Sequence, residues 1–175
     1  MVSSVVEKNL SDWKFLGHSV HCLRIIPDSH KSEKNKNKGP AILLIHGFGA
    51  STTHWRHNLP VLGKHYEVHA LDLLGFGNSS KPGGLAYGGP LWKDQIVAYV
   101  QENIGRPTIL VGNSLGGYAA LASGAALGDE AAGVVLLNAA GYFSEDKKTT
   151  KGFWATARKT VAGIFLKNVL LQRII

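Results

Sequence analysis

The sequence has a single cysteine, Cys22, and no long uninterrupted run of apolar residues. One cysteine excludes an intrachain disulfide, and with it the class of small secreted domains that disulfides hold together. A membrane-spanning helix would need about 18 consecutive apolar residues, and the first ten residues lack the apolar core of a secretory signal. These absences favour a soluble protein of a reducing compartment, taken here as the cytoplasm.

Acidic residues are missing from the C-terminal segment. All 12 Asp and Glu residues precede position 147, so the net charge of +7 arises from the Lys and Arg residues of segment 147–175. Because a local basic segment is not a domain-wide basic face, we expect no nucleic-acid partner. Over residues 152–175 apolar and basic residues mix at helical spacing. This pattern favours a cap helix, with peripheral membrane contact through the same segment as the alternative.

The apolar pattern predicts the fold class. The chain of 175 residues is 45% apolar, which allows one compact domain with a substantial core. Short β-branched runs typical of buried strands occupy residues 41–45, 66–71, 108–111 and 133–137, and a more polar edge strand or hairpin arm precedes them at 17–26. Helical segments at 54–62, 91–104 and 115–127 lie between the runs. The alternation predicts an α/β fold with a mostly parallel sheet and helices on both faces.

Glycine clusters follow three of these runs, at residues 46–49 (HGFG), 72–77 (DLLGFG) and 112–117 (GNSLGG). Chemistry in an open parallel sheet belongs in the loops at the carboxyl ends of its strands, where these clusters fall. Neither of the first two clusters supplies the third glycine of a dinucleotide fingerprint, and no phosphate-binding Gly-Lys-Ser/Thr motif is present. We therefore expect no organic cofactor and no metal ion. Asp72, at a strand end, is interpreted as a turn-capping residue in preference to a carboxylate catalyst.

The third cluster contains the pattern G-x-S-x-G between a short apolar strand and an Ala-rich helix, which is the context of a nucleophile elbow. So tight a turn needs small residues two positions before and after Ser114, and Gly112 and Gly116 meet that need. The backbone N–H of Leu115, at the start of the helix, would point toward a developing oxyanion. The competing interpretation is that Ser114 only caps a helix.

Three motifs in this order carry a resemblance to a known family. The sequence reads HGFGAS at 46–51, DLLGFGNS at 72–79 and GNSLGGYAA at 112–120, and it resembles the α/β-hydrolase superfamily of the AB hydrolase-1 type. Within the superfamily, the sequence resembles most the pheophytinase-like branch of cyanobacteria and plastids, whose members cleave the phytyl ester of chlorophyll derivatives. This finer resemblance rests on Leu91, Trp92 and Gln95 and on the sequence LLNAAG. By this resemblance, residues 1–141 are the N-terminal part of the hydrolase core and 142–175 the start of a cap or lid. A plastid location would apply in a photosynthetic eukaryote.

The resemblance also implies roles for individual residues. Ser114 is the nucleophile, and the backbone amides of Phe48 and Leu115 form the oxyanion hole. The supporting residues of the two loops are His46, Gly47, Gly49, Gly112, Asn113, Gly116 and Gly117. In the family the histidine at position 46 is structural, because the catalytic histidine follows the nucleophile in the chain. The expected reaction is hydrolysis of a small hydrophobic ester through an acyl-enzyme, while haloperoxidase or C–C bond hydrolase chemistry stays compatible.

One departure from the family pattern concerns the general base. All eight histidines precede Ser114, and the only acids after it are Asp129, Glu130, Glu145 and Asp146. We therefore expect an N-terminal fragment with little activity of its own. The alternative function is a catalytically silent chain, at most a module that binds a hydrophobic ligand or a protein.

Overall fold

The computed structural model describes residues 6–9, 13–27 and 39–140 of the chain. The chain divides into two compact units, Met1–Tyr142 and Phe143–Ile175, and all of the described residues belong to the first. The expected cap segment and its membrane contact lie outside the described residues. The strands are β1 Val6–Asn9, β2 Lys14–Phe15, β3 His18–Ser19, β4 Cys22–Ile26, β5 Ala41–Ile45, β6 Val68–Leu71, β7 Thr108–Asn113 and β8 Ala131–Leu137. The α-helices are α1 Leu59–Leu62, α2 Gly89–Tyr99 and α3 Leu115–Leu127.

A six-stranded sheet in the order β1-β4-β6-β5-β7-β8 forms the centre of the described unit. β6, β5, β7 and β8 run parallel, with Leu44 of β5 opposite Ala70 of β6 and Val111 of β7. β4 pairs antiparallel with β1 and with β6, and β2 and β3 form a separate hairpin. The predicted α/β class with a mostly parallel sheet is confirmed.

Alternate residues of β5 face opposite layers of the core, as a strand buried on both faces requires. Leu43 and Ile45 join the cluster that packs against α2 and α3, whereas Ile42 and Leu44 join Trp55 and Leu59 on the other face. All five residues of β5 are buried. Helices therefore cover both faces at the centre of the sheet.

Two expectations from the sequence differ from the structure. Segment 17–26, expected as an edge strand or hairpin arm, divides in two: its first part, β3, is one arm of the β2–β3 hairpin, but its second part, β4, lies between β1 and β6 and is not at an edge. Segment 54–62 is not one helix but a 3₁₀ helix, Thr52–Trp55, followed by the single turn α1. Pro60 stands in the first turn of α1, where a proline starts a helix more readily than it continues one.

The second helix is longer than expected at its start and changes character at its end. α2 begins at Gly89 and passes into a π-helical turn, Val100–Ile104, which ends at Gly105 with a φ of 63°. Within the described ranges, no helix is long and apolar enough to cross a membrane.

Candidate active site

Ser114 lies alone between the end of β7 and the start of α3. Its φ of 52° and ψ of −116° fall in a backbone region that residues with a side chain rarely adopt. The Ser114 amide donates to Leu137 O at 3.0 Å, and its carbonyl accepts from the amides of Gly117 and Ala140 at 3.0 and 2.8 Å. These bonds hold the strained turn between α3 and the end of β8. The predicted strand-to-helix turn is present, and Ser114 is not within a regular helix.

The glycines around Ser114 are required by packing. A Cβ on Gly112 would overlap the carbonyl group of Gly116, and a Cβ on Gly116 would overlap the carbonyl oxygens of Ile45 and His46. A Cβ on Gly117 would lie 2.6 Å from the Cβ of Ala139. The elbow therefore rests directly on the backbone that leaves β5, which is possible only without side chains at these positions.

The loop after β5 lies against Ser114. A Cβ on Gly47 would lie 3.2 Å from the Cβ of Ser114 and 3.1 Å from Oδ1 of Asn113. Phe48, the next residue, has 79% of its surface exposed, and Gly49 turns the chain with a φ of 68°. Among the described residues, the amides of Phe48 and Leu115 have no hydrogen-bond acceptor. Two amides beside one serine are thus open to an incoming group.

His46 is fully buried and both of its ring nitrogens are occupied. Nε2 lies 3.1 Å from the amide nitrogen of Leu73, and since that N–H can only donate, Nε2 is the acceptor. Nδ1 then carries the proton and donates to Gly47 O at 2.8 Å. Burial lowers the pKa of His46, which keeps the ring neutral. The ring joins the loop after β5 to the loop after β6, a positional role that leaves no lone pair for a proton from Ser114.

Asp72 fastens the loop after β6 to the loop after β5. Its Oδ1 accepts from the amide of Thr52 at 2.6 Å, and its Oδ2 accepts from the amide of Asn78 at 2.8 Å. The side chain is fully buried, so these bonds offset the cost of removing a carboxylate from water. The geometry matches the turn-capping interpretation of Asp72.

Sequence reasoning assigned no role to the polar side chains of α2 that support the same loop. Gln95 accepts from the amide of Leu74 at 2.9 Å and donates to Asp72 O at 3.1 Å. Trp92 Nε1 donates to Leu74 O at 3.0 Å. Both residues are buried, and a polar residue on the buried face of an otherwise apolar helix is the signal that points to such support.

Two open clefts flank the exposed loop 48–49. The apolar cleft has a volume of about 280 Å³ and is lined by Phe48, Gly75, Phe76, Lys81, Tyr87 and Trp92. In its wall Phe76 contacts Phe48 edge-to-face at a centroid distance of 5.4 Å and Trp92 at 5.8 Å. The polar cleft has a volume of about 360 Å³ and is lined by Gly49, Ala50, Ser51, Thr53, His54, Arg56 and Gly77.

The described acids that follow Ser114 in the chain lie away from the elbow. Asp129 and Glu130 belong to a 3₁₀ helix, Gly128–Glu130, which follows the far end of α3 and leads into β8. Glu145 and Asp146 fall outside the described residues. Within the described ranges, no group of three or more His, Cys, Asp or Glu side chains is arranged to hold a metal ion.

Comparison with known proteins agrees with this architecture. The family model of the alpha/beta hydrolase family matches residues 42–171. The chain belongs to the alpha/beta hydrolase family. The mostly parallel sheet with helices on both faces agrees with this family's fold.

The match to each individual relative covers only part of that relative's length. The chloroplastic pheophytinase of Arabidopsis thaliana is 33% identical over 64% of this chain and 30% of its own length. The 2-hydroxy-6-oxo-6-(2'-aminophenyl)hexa-2,4-dienoic acid hydrolase of Metapseudomonas resinovorans is 34% identical over 62% of this chain and 38% of its own. The crystal structure of a bacterial membrane phospholipase A superposes with a TM-score of 0.66 at 30% identity, over 82% of this chain and 42% of that one. The chain thus spans about a third of the length of these curated relatives.

Proposed function

We propose that the chain carries the nucleophile and the oxyanion hole of a carboxylic ester hydrolase. The observation that carries the proposal is the strained Ser114 at a strand-to-helix turn, with Gly47 packed against its Cβ. Strain of this kind persists where it presents a side chain for function. The amides of Phe48 and Leu115 are the two hydrogen-bond donors that would stabilise the negative charge developing on the oxygen of a tetrahedral intermediate.

In the proposed reaction Ser114 Oγ forms a bond to the carbonyl carbon of the ester, and the alcohol leaves with the electron pair of the broken C–O bond. The proton from Oγ ends on the leaving alcohol. Water then attacks the acyl-enzyme, releases the acid and returns a proton to Ser114. Each step needs a general base that takes up the proton and then donates it to the leaving oxygen. His46 is unavailable because both of its ring nitrogens are bonded, and no histidine follows Ser114 in the sequence.

The apolar cleft beside Phe48 supports an ester with a large apolar group. Phe48 is exposed on the loop that packs against Ser114, and its ring continues the aromatic wall of Phe76 and Trp92. Burial of an apolar group against this wall would remove exposed aromatic surface from water. The likeness to pheophytinase makes the phytyl ester of a chlorophyll derivative the first natural substrate to test.

The test is acylation of Ser114 by an activated ester. With 4-nitrophenyl butyrate, we expect one acyl group per chain on Ser114, located by mass spectrometry of peptides, and little turnover after it. Added imidazole should accelerate the acylation, because it supplies the missing proton acceptor. Ser114→Ala is the essential variant, and Ser123→Ala, which removes the buried serine of α3, is the control.

Acyl groups spread over several serines and lysines, or equal labelling of Ser114→Ala, would contradict the proposal. Tight binding of an ester without acylation would favour the alternative of a ligand-binding module. Vigorous turnover without imidazole, lost in Ser114→Ala, would show that a histidine upstream of Ser114 acts as the base.

A further inference from the structure

The polar cleft has no role in the proposed reaction, and its lining differs in kind from that of the apolar cleft. Ser51, Thr53, His54 and Arg56 surround about 360 Å³ of open space between the backbones at Gly49 and Gly77. The hydroxyl groups of Ser51 and Thr53 are 2.7 Å apart. Hydroxyl, imidazole and guanidinium groups around one space form a set of hydrogen-bond donors with a fixed positive charge.

Arg56 supplies that charge. One guanidinium nitrogen donates to Thr53 O at 3.3 Å, which holds the side chain against the 3₁₀ helix Thr52–Trp55. In the described part of the chain Arg56 makes no ion pair with a carboxylate. Its remaining N–H groups are thus free for an anion, and the planar fork of a guanidinium matches two oxygens of a carboxylate or phosphate.

The carboxylate of Asp72 lies against Gly77, which borders the cleft. It is fully buried, and each of its oxygens accepts an amide N–H, from Thr52 and from Asn78. Asp72 does not line the open space itself. Its charge weakens the attraction of the cleft for an anion but does not neutralise Arg56 by direct contact.

The cleft lies within the reach of a substrate at Ser114. Gly47 packs against Ser114, and Gly49, at the border of the cleft, is two residues further along the chain. Two consecutive Cα–Cα steps span at most about 7.6 Å. A molecule with its ester at Ser114 can therefore reach the polar cleft with a charged group, while an apolar group contacts Phe48.

We propose that the polar cleft binds an anionic oxygen group, a carboxylate or a phosphate, so that the preferred ester is amphiphilic. As part of a substrate this site rests on the proposed function, but anion binding itself needs no reaction at Ser114. The two ideas can therefore fail separately. If Ser114 is not acylated but the anion binds, the proposed hydrolase function is wrong. If Ser114 is acylated but no anion binds, the proposed anion site is wrong.

The experiment is a titration of the full chain with inorganic phosphate and, separately, with acetate, at constant ionic strength kept with sodium chloride. The readout is the amide chemical shifts of Ser51, Thr53 and Gly77 by NMR. We expect saturable shifts with one of the two anions, and the better anion identifies a phosphate or a carboxylate as the group recognised. Arg56→Gln should weaken that binding tenfold or more, because it removes charge-assisted hydrogen bonds.

Arg56→Lys and Lys64→Gln complete the set. Arg56→Lys keeps the positive charge but lacks the planar pair of guanidinium N–H donors, so it should retain part of the affinity for the anion. Lys64→Gln removes one exposed positive charge from the turn after α1 and should change nothing. Shifts that do not saturate, that chloride reproduces, or that change equally in Arg56→Gln and Lys64→Gln would overturn the proposal.

Discussion

At the scale of single residues, the strain at Ser114 is maintained by its neighbours. A left-handed φ at a residue with a side chain costs on the order of 1–3 kcal/mol, so the surroundings must determine it. Four backbone hydrogen bonds of Ser114, with the close approach of Gly112 and Gly116, supply this restraint. Loss of either these hydrogen bonds or the close backbone packing at Gly112 and Gly116 should therefore relax the turn.

Gly112→Ala tests the close approach. The new Cβ would overlap the carbonyl group of Gly116, so the elbow must shift, and we expect a loss of about 1–3 kcal/mol in the free energy of unfolding. Acylation of Ser114 should fall with it. Gly83→Ala is the matched control, because its Cβ would meet nothing within 4 Å and its φ is not in the left-handed region. Urea unfolding measures both, and equal stability of the two variants would refute the packing argument.

His46→Leu tests the positional role of the buried imidazole. The variant leaves the buried amide of Leu73 without its acceptor, while the carbonyl of Gly47 loses the imidazole but keeps the amide of Ala50. A buried polar group left unpaired costs about 1–3 kcal/mol, which is the destabilisation we expect by urea unfolding. His57→Leu, at an exposed position, should stay within about 0.5 kcal/mol of the wild type. A stable His46→Leu chain that had lost only its reactivity would instead mark His46 as a base.

At the scale of elements, a partly buried ionic network connects four segments at the end of the sheet opposite to Ser114. Glu67, before β6, pairs with Arg24 of β4 at 2.5 Å and with Arg106, before β7, at 2.6 Å. It also accepts from Nε2 of His69 at 3.0 Å, and Nδ1 of His69 accepts from the hydroxyl of Tyr99 at 2.9 Å. The network connects β4, β6 and α2 with the start of β7.

The network makes stability depend on pH. Burial alone would raise the pKa of Glu67, but the hydrogen bond from His69 and the charge of Arg24 lower it to about 2. Burial lowers the pKa of His69. Both groups bind protons more readily in the unfolded chain, so the contribution of His69 is present above about pH 6.5 and lost below it. That of Glu67 is present above about pH 4.5 and lost as the pH falls toward 2.

Glu67→Gln isolates the lower part of this dependence. At pH 7 the variant should be less stable than the wild type by about 1–2 kcal/mol, less than the full pKa shift would give, because water reaches Arg24 and Arg106 and screens these pairs. The difference should shrink as the pH falls from 4.5 toward 2. Asp129→Asn, which removes one exposed carboxylate, is the control and should follow the wild-type curve. Unfolding by urea at a series of pH values measures all three. A difference that stays constant with pH would show that the carboxylate charge is unimportant.

The sequence predicted some elements to the residue and missed others for physical reasons. β5 and α3 match their expected bounds, since a wholly apolar run precedes the HGFG cluster and an Ala-rich stretch lies between Ser114 and Gly128. The ionic network went unpredicted because Arg24, Glu67 and Tyr99 meet only through the tertiary fold. The elbow was predictable because its motif is local. The two clefts were not, since their walls come from loops after different strands.

At the scale of the whole described unit, β8 forms one edge of the sheet and is largely exposed. It pairs with β7 on one side and, among the described strands, has no neighbour on the other. Val134, Val135 and Leu137 have 36, 43 and 40% of their surfaces exposed, so both faces of the strand present apolar groups. Parallel sheets are ordinarily covered on both faces, and a free apolar edge is a template for pairing with another chain.

We therefore expect the chain to self-associate through β8. Val135→Lys places a charge on the exposed strand and should shift the chain toward monomer in sedimentation velocity, with weaker binding of a hydrophobic dye. Val61→Lys is the matched control, because Val61 of α1 has 60% of its surface exposed but lies away from the sheet edge. The control should associate as the wild type does. Association that both variants reduce alike would point to total charge as the cause, and a monomeric wild type at all concentrations would show that the β8 edge does not recruit a second chain.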